Sequence, residues 1–201
     1  LGKGSIKGDA FSAINQNRNY INYFLQMELW LSGKLHIEAG LAFNKTKYSL
    51  KDFFDKNSVA PGTPFTFGSI WSPRMGLSYK VSSGKNIFIA VSKGFSVPAV
   101  SETLTPEGQI NNDLKPEIGV NYEVGFKGNW LENKVYTEVA FYRTQITNLL
   151  IARRTAEDQY VGINVGSSSH SGIEFLLNYK LLSDKLFQIT PYISGAVNTF
   201  K

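Results

Sequence analysis

The stretch that decides the fold covers residues 160–179 and reads YVGINVGSSSHSGIEFLLNY. Apolar side chains recur there at every second position: Val161, Ile163, Val165, Ile173, Phe175, Leu177 and Tyr179. The positions between them are mostly glycine and polar residues, among them Gly162, Asn164, His170, Gly172, Glu174 and Asn178. A period of two residues is that of a β-strand with one apolar and one polar face.

The same alternation starts again at Leu35, Val120 and Phe187. Short segments rich in Gly, Ser, Asn, Asp and Lys separate the patterned runs and predict hairpin turns, at residues 32–34, 82–85, 132–134 and 183–185. Longer connections lie between these hairpins, at residues 49–69, 95–115 and 153–159. The chain therefore predicts an all-β, antiparallel fold of about eight long strands, in which short turns and long loops alternate.

This rhythm is typical of an outer-membrane β-barrel, which has short periplasmic turns and long extracellular loops. The predicted strands run to about 10–20 residues, whereas strands of soluble proteins average about 5–6 residues. Five glutamates share the polar side of the strands, where a wet lumen would solvate them, namely Glu28, Glu38, Glu123, Glu138 and Glu174. The solvated face of a soluble sheet would suit these carboxylates equally well.

Composition excludes several other classes. The chain has no cysteine, which removes disulfide frameworks, thiol catalysis and cysteine zinc sites. The longest apolar run covers residues 87–91, far short of the roughly 20 residues of a membrane-spanning helix. The formal charge of +5 comes from dispersed lysines and arginines, which predicts a solvated rim and no nucleic-acid partner.

No pattern for catalysis is found. The two histidines, His36 and His170, have no second ligand at metal-binding spacing. The Gly-Lys pairs at residues 33–34 and 84–85 lack the upstream glycine of a phosphate-binding loop. We therefore predict no enzyme, no metal site and no cofactor.

Prolines and tryptophans mark strand ends. Pro73 and Pro191 fall within predicted strands, where each removes a ladder hydrogen bond, so we expect strand ends or bulges there. Trp71 and Trp130 lie on the apolar side near strand ends, as expected for interfacial aromatic girdles, whereas Trp30 falls on the polar side.

Several segments together resemble the barrel strands and loops of TonB-dependent receptors. They are SPRMGLSY at 72–79, KGFSVP at 93–98, LKPE at 114–117, NYEVGFKG at 121–128, FYR at 141–143, ITN at 146–148, NVG at 164–166 and SGIE at 171–174. No single segment is specific, but as a set they cover roughly residues 72–200.

The resemblance implies a larger, roughly 22-stranded barrel in the outer membrane of a Gram-negative bacterium, with a plug domain inside it. It also implies uptake of a scarce nutrient, typically a ferric siderophore, energised by the TonB complex through the plug region. No plug is found in residues 1–201, so the chain is expected to be part of such a barrel, with membrane lipid around it. Two alternatives stay open: a self-contained small barrel with a structural or adhesive role, and a soluble β-rich binding domain.

Ligand contacts in such receptors come from extracellular loops and upper lumen walls. Arg153 and Arg154 stand together near Tyr160, and adjacent arginines beside an aromatic ring could hold an anionic chelate. A solvated basic pair at the base of a loop is the alternative. These three residues are the predicted substrate-binding site.

Overall fold

The computed structural model describes residues 14–52, 64–105, 110–156, 159–183 and 186–201. Apart from one 3₁₀ turn at Val100–Thr103, its regular elements are strands: β1 (Ile14–Trp30), β2 (Leu35–Asp52), β3 (Pro64–Thr66), β4 (Ile70–Ser82), β5 (Lys85–Ser96), β6 (Glu117–Trp130), β7 (Val135–Ala156), β8 (Gln159–Tyr179), β9 (Leu182–Ser183), β10 (Gln188–Ile189) and β11 (Tyr192–Phe200). Within these residues, no helix has the length and hydropathy needed to cross a membrane.

Eight strands lie side by side in the order β1-β2-β4-β5-β6-β7-β8-β11, and every pairing is antiparallel. The short β3 adds to β2, and β9 pairs with β10. The prediction of an all-β, antiparallel sheet of about eight long strands is confirmed. Strands β1 and β11 are the two edges, and no pairing joins them among the described strands. The closure that a self-contained small barrel requires is therefore not seen in the described part of the chain.

The connections alternate in length as predicted. Short turns join β1 to β2, β4 to β5 and β6 to β7, all at one end of the sheet. Left-handed backbone closes two of them, at Gly84 (φ 71°) and at Leu131, Glu132 and Asn133 (φ 51°, 55° and 66°). The long connections lie at the opposite end. Residues 184–185 of one predicted turn, and residues 53–63, 106–109 and 157–158 of the predicted loops, lie outside the described part.

One face of the sheet, called here the apolar face, is continuous across all eight strands. Directly paired residues project to the same side, so the register defines a row with one residue from each strand. That row consists of Leu29, Ile37, Leu77, Ile89, Val124, Phe141, Ile173 and Val197. Most of these side chains are exposed in the isolated sheet. An exposed apolar band of this extent on long strands is what a lipid-facing barrel wall requires.

The opposite face, called here the polar face, carries the glutamates, as the alternation predicts. Its most buried side chains, Asn44, Thr46 and Tyr48, lie in β2 at the long-loop end. Phe67 packs its ring edge against Tyr48, with 5.3 Å between the ring centroids. The buried core therefore sits at the long-loop end, and the rest of the sheet is a single layer.

Of the two prolines, one marks a strand boundary, whereas the strand end or bulge expected at Pro73 is not found, because β4 (Ile70–Ser82) continues through it. Pro73 pairs with Leu41 of β2, but the ladder between β4 and β5 begins one residue later, at Arg74. Its missing N–H therefore costs no bond to β5. Pro191 lies between β10 and β11 and marks a strand boundary. Trp130 is the last residue of β6, and the Lys85 ammonium lies 4.0 Å from its ring centroid.

Candidate functional site

The connection between β5 and β6, described for residues 97–105 and 110–116, folds over the polar face at the long-loop end. Its first anchor is on β2, where the Tyr48 hydroxyl donates a hydrogen bond of 2.6 Å to the Pro98 carbonyl. Tyr48, Pro98 and Thr103 are all fully buried. Within the turn, the Thr103 hydroxyl donates to the Val100 carbonyl at 2.6 Å, which holds the segment in a compact shape.

A second anchor lies on β8. The Asn164 side chain and the Lys115 backbone exchange two hydrogen bonds, of 2.7 and 2.9 Å. Nearby, the Asn111 amide donates to the Gly162 carbonyl at 3.0 Å. A Cβ atom at Gly162 would lie only 2.4 Å from the Glu102 carbonyl oxygen. Glycine is therefore what allows the connection to approach β8 so closely.

The two anchors are far apart in the sheet, because β2 is the second strand of the eight-strand path and β8 is the seventh. The connection thus lies across the polar face at the long-loop end, between its anchors on β2 and β8. Sequence reasoning placed a loop here but did not predict that it folds inward.

Of the predicted site residues, the structure brings two together. Arg154 and Tyr160 are direct partners across the β7–β8 hairpin, near its tip. The Arg154 Nε donates to the Ala156 carbonyl at 3.1 Å, and both predicted side chains are exposed. Arg153 pairs with Val161 and, as the next residue along a strand, projects to the other side. The strand geometry therefore places Arg154 and Tyr160 on one face of the sheet and Arg153 on the other, so the three side chains do not share one surface.

A second arginine–aromatic group lies on β1 and β2, and sequence reasoning missed it. The Arg18 guanidinium of β1 lies 5.6 Å from the Tyr20 ring centroid and 5.8 Å from that of Tyr48. Arg18 is paired with Tyr48 across the β1–β2 ladder, on the polar face. The same rule of alternation, applied to the first strand, would have placed Arg18 and Tyr20 there.

Lower on the polar face, a charged network connects β1, β2 and β4. An ion pair of 3.1 Å joins Arg74 to Glu38, and Arg74 also donates to the Gln26 side-chain carbonyl. The Gln26 amide group donates to Glu28 at 3.1 Å and to Glu38 at 3.2 Å. A Cβ atom at Gly40 would meet the Arg74 side chain at 2.6 Å, so the arginine lies flat across this glycine.

An acidic recess lies on the same face further along the sheet. Glu123, Glu138 and Glu174 line it together with Ala140. The Tyr136 hydroxyl donates to Glu138 at 2.6 Å, and none of the three glutamates forms an ion pair within the described residues. In that part of the chain, no group of three or more His, Cys, Asp and Glu residues is arranged to hold a metal ion.

Comparison with known proteins gives a family match over nearly the whole chain. The family model described as TonB dependent receptor-like, beta-barrel matches residues 2–200. The Ferric-pyoverdine 358 receptor of Pseudomonas putida is 24% identical over 135 residues, which cover 67% of this chain and 16% of that receptor. The chain therefore spans about a sixth of this curated relative.

Solved structures share the fold. The siderophore receptor PiuA from Acinetobacter baumannii matches with a TM-score of 0.69 and 18% identity, covering 92% of this chain and 26% of that one. The copper transporter OprC matches with a TM-score of 0.70 and 12% identity, covering 91% of this chain and 28% of that one. At such low identity these matches show the fold alone, and the two names refer to different cargoes.

Proposed function

Because the chain belongs to the family of TonB-dependent receptor-like β-barrels, we propose that it forms part of the wall and ligand entrance of a ferric-siderophore uptake receptor. The resemblance drawn from residues 72–200 is thereby confirmed at the level of the family. The family and its structural neighbours are outer-membrane transporters and receptors, not enzymes. The observation that carries the choice of cargo is the match to the Ferric-pyoverdine 358 receptor over 67% of this chain.

In this proposal the apolar face contacts membrane lipid and the polar face lines the lumen. The sorting of side chains supports it, because carboxylates are costly against hydrocarbon and inexpensive against water. Residues 1–201 would supply one section of the barrel in the outer membrane of a Gram-negative bacterium. The plug domain and the TonB contact would come from other parts of the polypeptide, since the chain spans only 16% of its curated relative. TonB, acting through the plug, would energise transport.

The described parts of the β5–β6 connection, residues 97–105 and 110–116, would restrict the route from the extracellular side. They are fastened to β2 and β8, so a ligand must pass beside them. Two arginine–aromatic pairs would offer cationic and aromatic contacts to an anionic ferric chelate. They are Arg154 with Tyr160 at the hairpin tip, and Arg18 with Tyr20 at the long-loop end of β1. Arg153, on the other side of the hairpin, would add to the local positive charge.

The experiment is uptake of ⁵⁵Fe-labelled siderophore by cells that carry the full-length receptor in a strain lacking its own. We expect uptake that stops when TonB is deleted, with surface binding of the chelate retained. We also expect the protein in the outer-membrane fraction and in need of detergent once extracted. Uptake that is the same without TonB would contradict the proposal, and so would a receptor that is monodisperse without detergent.

The predicted site is tested by replacing Arg153 and Arg154 together by alanine. A charge-assisted hydrogen bond contributes about 1.5–3 kcal/mol, so losing one contact should weaken binding of an anionic ferric siderophore by about tenfold or more. A matched control replaces Lys34 and Lys134, two exposed lysines in turns at the other end of the sheet. Equal affinities of the double variant and the control would remove these arginines from the site.

A further inference from the structure

The ladder between β7 and β8 is interrupted at Asn148 and Gly166, which lie opposite each other. The pairs on either side of this gap keep one register, so a single residue drops out of each strand. Both residues have left-handed backbone, with φ 57° and 30°, whereas residues of antiparallel strands have φ of about −140°. The regular pleat of both strands is therefore broken at one level. The part beyond this break, residues 149–156 and 159–165, is called here the upper hairpin.

Hydrogen bonds fasten this break to its surroundings. Asparagine adopts left-handed backbone more readily than most residues, because its short polar side chain can form local hydrogen bonds. The Asn148 side-chain amide donates to the Pro116 carbonyl at 3.3 Å, at the end of the β5–β6 connection. The Asn148 carbonyl accepts from the Asn164 side chain of β8 at 2.7 Å. The break is thus joined to the connection on one side and to β8 on the other.

The Asn164 side chain uses both of its N–H donors and its carbonyl oxygen. The carbonyl accepts from the Lys115 N–H at 2.7 Å, and the amide group donates to the carbonyls of Lys115 and Asn148 at 2.9 and 2.7 Å. One side chain therefore joins three segments, which are the connection, β7 and its own strand β8. A carboxylate would lack the donors, and an apolar side chain would lack both donors and acceptor.

Further contacts join the upper hairpin to the segments beneath it. The Glu117 carboxylate, at the start of β6, accepts from the N–H of Leu150, which is the direct partner of Asn164. Nearer the tip, the Asn111 amide of the connection donates to the Gly162 carbonyl at 3.0 Å, where the glycine allows the close approach described above. The upper hairpin is therefore bonded to the connection at two levels and to β6 at one.

We propose that Asn164 is a positioning residue that couples the upper hairpin to the connection, so that the two move as one body about Asn148 and Gly166. Arg154 and Tyr160 stand on this hairpin. A ferric chelate that contacts them would therefore also restrain the connection and, through it, the anchor on the distant strand β2. This consequence rests on the proposed function, whereas the coupling itself needs no ligand.

Hydrogen–deuterium exchange of the full-length receptor in detergent tests the coupling without any ligand. Asn164→Leu keeps the approximate size of the side chain and deletes its three hydrogen bonds. Peptides that contain the Asn111 and Leu150 amides should then both exchange about tenfold or more faster, because three hydrogen bonds together contribute at least about that factor to an equilibrium constant. Asn164→Ala, which adds no apolar bulk, should give the same pattern.

A double-variant cycle separates coupling from a purely local role of Asn164. Tyr48→Phe loosens the connection at its other anchor, on the second strand of the sheet and not on the seventh. If the two elements form one body, this substitution should also speed exchange at Leu150, and it should no longer do so in the Asn164→Leu background. Unchanged exchange at Leu150 when Tyr48→Phe is the only substitution would overturn the inference, and so would an equal effect in both backgrounds.

Asn178→Leu is the matched control, because it makes the same change on the polar face of β8 near the short turns. The Asn178 side chain forms no hydrogen bond within the described residues, so exchange of the connection should stay at the unmodified rate. An acceleration equal to that of Asn164→Leu would show that any such change loosens the sheet, and the inference would fall.

The consequence for ligand binding is measured with the ferric siderophore of the uptake assay. It should slow exchange of the Asn111 amide several-fold in the unmodified receptor and leave it unchanged in Asn164→Leu. Slowing to the same extent in both proteins would show that Asn164 does not transmit the contact, and would overturn the inference. A receptor that takes up no siderophore contradicts the proposed function, while the ligand-free cycle still decides the coupling.

Discussion

Replacing Tyr48 by phenylalanine tests whether the inward-folded connection is held by its β2 anchor. The substitution keeps the aromatic ring, and with it the edge contact to Phe67 at 5.3 Å. It deletes only the hydroxyl, which donates to the Pro98 carbonyl at 2.6 Å in a fully buried setting. The effect should therefore fall on the connection and not on the packing of β2.

The magnitude follows from burial. Within the described residues the Pro98 carbonyl has no second donor, so the substitution leaves a buried acceptor unsatisfied. Such a group costs about 1–3 kcal/mol. Because 1.4 kcal/mol is a factor of ten in an equilibrium constant, opening of the connection should become about 5 to 150 times more frequent.

Hydrogen–deuterium exchange with mass spectrometry measures this opening. The protected amides of the connection include those of Glu102 and Thr103, which both donate to the Ala99 carbonyl, and that of Asn111, which donates to Thr103 at 2.7 Å. Peptides that contain them should exchange faster in the variant by the factor above. Peptides from β5 and β6 should exchange at their original rates, since their ladder is untouched.

Tyr20→Phe is the matched control. It removes a hydroxyl from an exposed tyrosine on the neighbouring strand and keeps the ring near Arg18. If Tyr48→Phe changes the exchange of the connection no more than this control does, the β2 anchor does not hold it. The reasoning about the buried carbonyl would then be refuted.

Three glycine-to-alanine substitutions test whether an added Cβ costs more stability when it meets backbone than when it meets a flexible side chain. They are assayed by urea unfolding and by the same exchange experiment. Gly162→Ala places a Cβ 2.4 Å from the Glu102 carbonyl oxygen, which should destabilise docking of the connection by about 1–3 kcal/mol; unchanged exchange there would contradict this. Gly40→Ala meets only the flexible Arg74 side chain, whose ion pair is exposed, so stability should fall by less than about 1 kcal/mol. Gly119→Ala, with nothing closer than 4.0 Å, should be neutral, and a loss as large as that of Gly162→Ala would show that the contacts do not predict the cost.

Most of the fold could be predicted because strands with one apolar and one polar face impose a strict local pattern. The side chains of residues 160–179 alternate so regularly that their strand and its two faces follow from the sequence alone. Short turns such as residues 131–134 are equally local, since three consecutive left-handed residues close that hairpin. A strand end or bulge was expected at Pro73, but β4 continues through it, because the ladder with β5 begins only at Arg74 and Pro73 therefore loses no bond to β5.

The candidate site was harder to predict, because it depends on contacts between residues far apart in the chain. Arg153, Arg154 and Tyr160 were grouped by their closeness in sequence, yet strand alternation separates Arg153 from the other two. The Tyr48–Pro98 bond joins residues 50 positions apart, and no local pattern indicates it.

The sequence by itself determined the strands, their two faces, the hairpin turns and the family, because each of these depends on neighbouring residues and on the solvent that each face meets. The tertiary structure alone decided that the β5–β6 connection folds inward onto β2 and β8. It also decided that Arg18 lies beside the buried Tyr48, since strand register brings together residues that are far apart in the chain. Alternation assigns a residue to a face, whereas only pairing between strands assigns its neighbours on that face.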